Sequence, residues 1–152
     1  MGSNPIPNTI MKKILVMGLP GTGKTTFSSA LAYRLSAVHF NADEIRAYIH
    51  KDLGFSIEDR IEHAKRLGVL CDIVNRSGQY SIADFVCPTL STRDAFGAYD
   101  SFVVWCDRTP TRHFSDTNNI FIPPSIYNIR MTDADTIEDV VDKTVSIITR
   151  GS

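Results

Sequence analysis

Gly18-Leu19-Pro20-Gly21-Thr22-Gly23-Lys24-Thr25 follows the apolar run Ile14-Leu15-Val16-Met17 and leads into a stretch that carries Phe27, Leu31 and Leu35 on one helical stripe. A strand, a turn of the form G-x-x-x-x-G-K-T and a helix make a phosphate-binding P-loop. Glycines let the backbone bring its N–H groups close to a phosphate chain, and the helix beginning near Lys24 directs its positive end to the same place. Gly18, Gly21, Thr22, Gly23, Lys24, Thr25 and Thr26 are therefore the expected cradle of a nucleoside triphosphate. Lys24 is placed to reach the β- and γ-phosphates, and the Thr25 hydroxyl to meet Mg²⁺. ATP and Mg²⁺ are the expected cofactors.

Working outward, short apolar segments alternate with helical patterns, which predicts βαβ units and an α/β fold with a parallel sheet. Strands are expected at Lys13–Met17, 37–41, 80–86, 101–106 and 126–131, and helices at 25–35, 43–50, Ile57–Arg76 and 136–149. The longest helix carries Ile61, Ala64, Leu67, Val69, Leu70 and Ile73 as its apolar positions, and the last buries Val140, Val141, Val145 and Ile148. Segment 109–124, rich in Thr, Asn, Asp and Pro, has no periodic pattern and is expected to be a lid or an unstructured connection.

Ligands of parallel α/β sheets gather at the carboxyl ends of the strands, which directs attention to the residues just after each one. Asn41 to Arg46 reads N-A-D-E-I-R. Asp43 is suited to accept a proton from an attacking hydroxyl or to hold a water on Mg²⁺, and equally to cap the helix that follows. Arg46, one turn on, is suited to grip an anion. Asp52 to His63 reads D-L-G-F-S-I-E-D-R-I-E-H, with Ser56 as the cap of the long helix. That puts Phe55 in a loop beside Arg60, as a stacking surface for a base or as a hydrophobic staple. His63 shares the face of Arg60.

In Y-S-I-A-D-F-V-C-P, Tyr80 to Pro88, an aspartate closes an apolar strand. Asp84 is thus a candidate metal ligand alongside Thr25 and Asp43, or the cap of a loop. Phe85 and Val86 join Arg46, Phe55, Arg60 and His63 as expected acceptor contacts. Arg93 is a further candidate for substrate contact. Arg108 and Arg112, where the unpatterned segment begins, are suited to neutralise a transferring phosphoryl group or stack on adenine.

The 152 residues are 43% apolar, carry a formal net charge of −1 and include three cysteines. That length and composition suit one domain, expected to span 11–150. Scattered charge gives no overall signature of nucleic-acid or membrane-surface binding. Cys71, Cys87 and Cys106 lack metal or disulfide spacing and are expected to be buried thiols in a reducing cytoplasm. No secretory leader or bilayer-length apolar run is visible, so a soluble, cytoplasmic protein is expected. Residues 1–10 and the final Gly151-Ser152 are expected to be a flexible extension or vector-derived, with Met11 as the natural start.

Taken in order, these clusters resemble adenylylsulfate kinase, which phosphorylates the 3′-hydroxyl of adenosine 5′-phosphosulfate. That family's D-G-D-N-x-R, D-L-G-F-S-x-x-D-R-x-E-N, S-F-I-S-P and V-D-x-P runs look like Asn41 to Arg46, Asp52 to His63, Asp84 to Pro88 and Asp107 to Pro110. The resemblance implies a P-loop kinase with a five-stranded parallel sheet flanked by helices on both faces. It implies Asp43 in the base and metal role and Arg46, Phe55 and Arg60 around the acceptor. Asn41, His63, Asp84 and Cys87 stand where the family has Asp, Asn and two serines, and its R-D-x-K-G-L-Y lid helix has no counterpart. An open site leaves two alternatives beside a small nucleotide-like acceptor. One is a kinase of 5-hydroxymethyl bases in phage-type modified DNA, with a flipped base stacked on Phe55 or His63; the other is a non-catalytic nucleotide switch. Pairing of two copies through the long helix is also open.

Overall fold

A computed structural model describes residues 11–150. The expectations for residues 1–10 and for Gly151 and Ser152 lie outside the described residues. Elements follow in the order β1 (Lys13–Met17), α1 (Lys24–Leu35), β2 (Val38–Asn41), α2 (Ala42–Tyr48), α3 (Ile57–Arg76), β3 (Ser81–Phe85), α4 (Leu90–Phe96), β4 (Phe102–Cys106), α5 (Ser115–Asn118), β5 (Ile129–Met131) and α6 (Ile137–Arg150), with a 3₁₀ turn at Ala98–Asp100 before β4. The five strands form one all-parallel sheet in the order β2-β3-β1-β4-β5. The fold is that of a P-loop kinase.

Strand alternation divides the core in two. Ile14 and Val16 of β1 join Phe27 and Leu31 of α1 and Val140, Val141 and Ile148 of α6 on one face; Leu15 and Met17 join Ile45, Ala64, Leu67 and Phe96 on the other. Both faces of β1 are buried, so an uninterrupted apolar run is what this central strand requires. All strands run the same way, so the P-loop, Asn41, Asp84 and Asp107 emerge along a single edge.

The differences from expectation have local causes. β5 begins at Ile129 because the Asn128 side chain takes the preceding ladder position: its Oδ1 accepts from Val103 N at 2.8 Å. Val86 leaves the strand because Cys87, with φ 48°, turns the chain away. On α3, Ala64 and Leu67 are buried, whereas Val69 and Ile73 face solvent; on α6, Val145 is half-buried. Segment 109–124, expected to be a lid or an unstructured connection, contains α5 and lies as a strap along the carboxyl edge of the sheet.

The α3–α4 packing depends on Gly68. A β-carbon there would lie 2.4 Å from the Phe96 carbonyl oxygen, so alanine would have to push α4 away from α3. Gly68→Ala is expected to lower stability by about 1–3 kcal/mol, as overpacking of a closed contact does. Thermal unfolding checks this at roughly 2–4 °C per kcal/mol; an unchanged midpoint would show the contact to be compliant.

Candidate active site

Two cavities open side by side on the carboxyl edge. The first, about 530 Å³, is lined by Gly21, Thr22, Gly23, Lys24, Thr25 and Thr26, with Arg108, Thr109, Thr111, Arg112 and Asp133 opposite. Gly18 lies beneath it, packed against the Cys106 carbonyl, and not in its lining. At Gly21 the loop has φ +75° and an added Cβ would meet Thr111 Oγ1 at 2.4 Å, so only glycine fits. The strap closes on the loop here: Thr111 N and Thr111 Oγ1 both donate to the Gly21 carbonyl at 3.1 Å.

The second cavity, about 300 Å³, brings Asp43 and Asp84 together with Arg46, Phe55, Arg60, His63, Phe85 and Val86, the acceptor contacts expected from sequence apart from Arg93. Lys24 and Arg112 line both cavities and so mark where they meet. The Lys24 ammonium donates to the Leu19 carbonyl at 2.9 Å. Burial lowers its pKa, while Cys106, Asp84 and Asp43 act to raise it.

Local rules account for the acceptor wall. Ser56 Oγ accepts from Asp59 N at 3.1 Å, capping α3, and Asp59 Oδ2 turns back to accept from Gly54 N at 2.8 Å. Arg60 Nε donates to the Phe55 carbonyl at 2.9 Å, Arg46 Nη1 to the Gly54 carbonyl at 2.7 Å, and Arg66 holds Asp52 through two bonds of 3.0 Å. The D-L-G-F-S-x-x-D-R run is thus a self-bracing corner. Phe55, 61% exposed, lies under both guanidiniums, 4.3 Å from Arg46 and 5.3 Å from Arg60 to its ring centre. The staple expected as its alternative is replaced by this cation–π contact. Burial, then Arg60, lowers the Arg46 pKa, and burial lowers that of Arg60, whose carboxylate neighbour Asp116 lies 3.8 Å away and is exposed. Two adjacent cations so placed favour an anionic guest.

The cap question at Asp43 is settled by its neighbour. Asn41 is the N-cap of α2, its Oδ1 accepting from Glu44 N at 3.0 Å, which leaves the exposed Asp43 carboxylate free for the cavity. Asp84, 3% exposed, points with Ile82 towards α1, where its Oδ1 accepts from Thr25 Oγ1 at 3.2 Å; Asn41 Nδ2 lies 3.3 Å away and His39 Nε2 also bonds it. These hard oxygens fit Mg²⁺, which commonly takes one or two carboxylates beside phosphate oxygens and water. Among the described residues there is no group of three His, Cys, Asp or Glu that could hold a metal ion.

Arg93 is not in the cavity lining. Its Nε donates to the Cys87 carbonyl at 3.1 Å and its Nη2 to the Pro88 and Ile122 carbonyls, so it fastens the strap to the sheet edge. Thr111, Phe114, Asp116 and Thr117 of the strap line the cavities without a sequence pattern that announced them. His39 does have such a signal, since strand alternation puts it on the face of Asn41. The three cysteines are free and buried.

The adenylylsulphate kinase family profile matches residues 11–107, ending where the strap begins. The chain belongs to the adenylylsulphate kinase family. Adenylyl-sulfate kinase of Oceanobacillus iheyensis is 36% identical over 94 residues, covering 57% of this chain and 47% of that protein. The chain spans about half the length of the curated relatives it matches. Among solved structures, the Mycobacterium tuberculosis APS kinase in complex with AMPPNP and APS superposes with a TM-score of 0.81 at 21% identity, over 91% of this chain and 98% of that one. Shikimate kinase from Aquifex aeolicus superposes with a TM-score of 0.60 at 15% identity, over 90% and 96%. At these identities the likeness is one of fold, and kinases of different acceptors share it. Among the described residues, no helix is long and apolar enough to cross a membrane.

Proposed function

We propose that the protein is an ATP- and Mg²⁺-dependent kinase that transfers the γ-phosphoryl group to a hydroxyl of an anionic, nucleotide-like acceptor, with adenosine 5′-phosphosulfate the first to test. The observation that carries this is the meeting of the P-loop cavity with the arginine-lined cavity at Lys24 and Arg112, beside Asp43. ATP occupies the first cavity with its triphosphate on the loop amides, and Arg108 and Arg112 face it. The acceptor occupies the second, its anionic group between Arg46 and Arg60 and its base against Phe55, with His63, Phe85 and Val86 as the floor.

The acceptor oxygen bonds to the γ-phosphorus as the bond to the β-phosphate bridging oxygen breaks, and ADP leaves with that electron pair. Asp43 receives the hydroxyl proton. Lys24 and Arg112 stabilise the charge spread over the transferring group, and alignment supplies much of the rest. Mg²⁺, for which Thr25, Asp43 and Asp84 provide oxygen donors, neutralises phosphate charge. A reducing compartment suits the three buried thiols.

Labelled ATP offered with adenosine phosphosulfate, free nucleosides, and plain or hydroxymethylated DNA tests the assignment. Transfer to the sulfonucleotide supports it. Label on modified DNA would replace it with a DNA-base kinase, and ATP binding without transfer to any acceptor would reduce the protein to a nucleotide switch.

A further inference from the structure

We propose that His50 is a positioning residue which fixes the tautomer of His63, so that His63 Nε2–H donates to a phosphate or sulfate oxygen of the acceptor. This deepens the acceptor assignment made above and rests on it. His63 is 2% exposed and lines the arginine cavity, whereas His50 is buried behind it and outside the lining. Their Nδ1 atoms lie 2.8 Å apart with the rings edge-to-face, a hydrogen bond that holds one proton between two nitrogens. Phe85, also edge-to-face with His63 at 6.1 Å, holds the ring from another side.

The remaining ring nitrogen decides what a guest meets. His63 Nε2 is buried and has no hydrogen-bond partner among the described residues. Because His63 lines the cavity, a guest that reaches this nitrogen would complete it. Burial first, then Arg46, His50 and Arg66, pushes His63 down to about 3, so the ring is neutral and carries one proton. If that proton is on Nδ1, Nε2 offers a bare lone pair. If His50 supplies the shared proton from its own Nδ1, His63 must carry its proton on Nε2 and becomes a donor. An anion gathered by Arg46 and Arg60 selects the second arrangement. His50 therefore acts on the guest through the 2.8 Å bond and not by touching it.

The test uses the whole chain with ¹⁵N-labelled histidine, titrated separately with inorganic sulfate, adenosine phosphosulfate and uncharged adenosine. With either anion, His63 Nε2 and His50 Nδ1 are expected to become proton-bearing, with resolved one-bond N–H couplings; adenosine leaves them unchanged. In steady-state assays His50→Phe and His63→Phe should each raise the acceptor KM about tenfold or more, the double variant no more than the larger single change, because the residues act as a unit. ATP KM should stay within about twofold. His63→Asn, whose amide donates without help, should make the acceptor KM indifferent to His50→Phe. The proposal is overturned if Nε2 stays bare or unperturbed with both anions, as it would with a trapped water alone, or if neither anion binds. It also fails if His50→Phe leaves the acceptor KM unchanged. Should no acceptor take label from ATP, the kinase assignment fails while the sulfate titration still decides the histidine pair.

Discussion

Asp43→Ala is expected to reduce kcat by about two to four orders of magnitude, the contribution of a positioned general base, while ATP still binds. The reason lies in the division of labour within the first turn of α2. Asn41 satisfies the helix N-terminus, so Asp43 is not required there, and its exposed carboxylate contributes little packing. Its field reaches both Lys24, at the junction of the cavities, and Arg46, in the acceptor cavity. Loss of a carboxylate from the first helical turn should remove about 0.3–1 kcal/mol of helix-dipole stabilisation. Single-turnover transfer with saturating ATP, beside a thermal melt, separates the two effects. Near-normal kcat in the variant would move the proton acceptor elsewhere, and a collapsed melt would make the lost activity a folding defect.

The parts of this molecule that were legible in the sequence are those whose causes are local. The P-loop, the strand–helix alternation and the D-L-G-F-S-x-x-D-R corner are each built from residues a few positions apart, so spacing carries the information. Asn41 and Asp43 show the limit of that rule. Both are good caps two residues apart, and the one that caps depends on where the chain leaves β2. His50 and His63 are thirteen positions apart, on either side of the turn between α2 and α3, and nothing in their spacing announces a bonded pair. Arg93 looked like a substrate contact because it follows a site strand; its carbonyl partners come from residues 87, 88 and 122, which no local pattern connects.

The strap was illegible for a related reason. Its order comes from what it touches and not from its own propensity. Thr111 holds the Gly21 carbonyl, while Arg60 Nη2 donates to Thr117 Oγ1 at 3.0 Å. One short segment thereby joins the donor loop to the acceptor corner without a lid helix. Such contacts are few and their backbone is mostly exposed, so the strap belongs to the less stable part of the structure.

Lys24→Ala is expected to abolish most transfer, by about 10²–10³-fold or more, without destabilising the protein. Lys24 is the first residue of α1, where a cation faces the positive end of the helix dipole, an arrangement that costs about 0.3–1 kcal/mol. Half-burial adds to that cost, and the lowered pKa expresses it. The bond to the Leu19 carbonyl offsets part of it. Alanine removes the misplaced charge and has the higher helix propensity, so the melting temperature without nucleotide should be unchanged or raised. A residue that weakens its own helix is explained by what it does to phosphates, since with Arg112 it is shared by both cavities. Lys24→Arg should recover little, because a planar guanidinium fork does not replace a compact ammonium point charge in a loop this close. A variant that kept turnover, or that lost several degrees of thermal stability, would contradict this account of why the lysine stands at the head of α1.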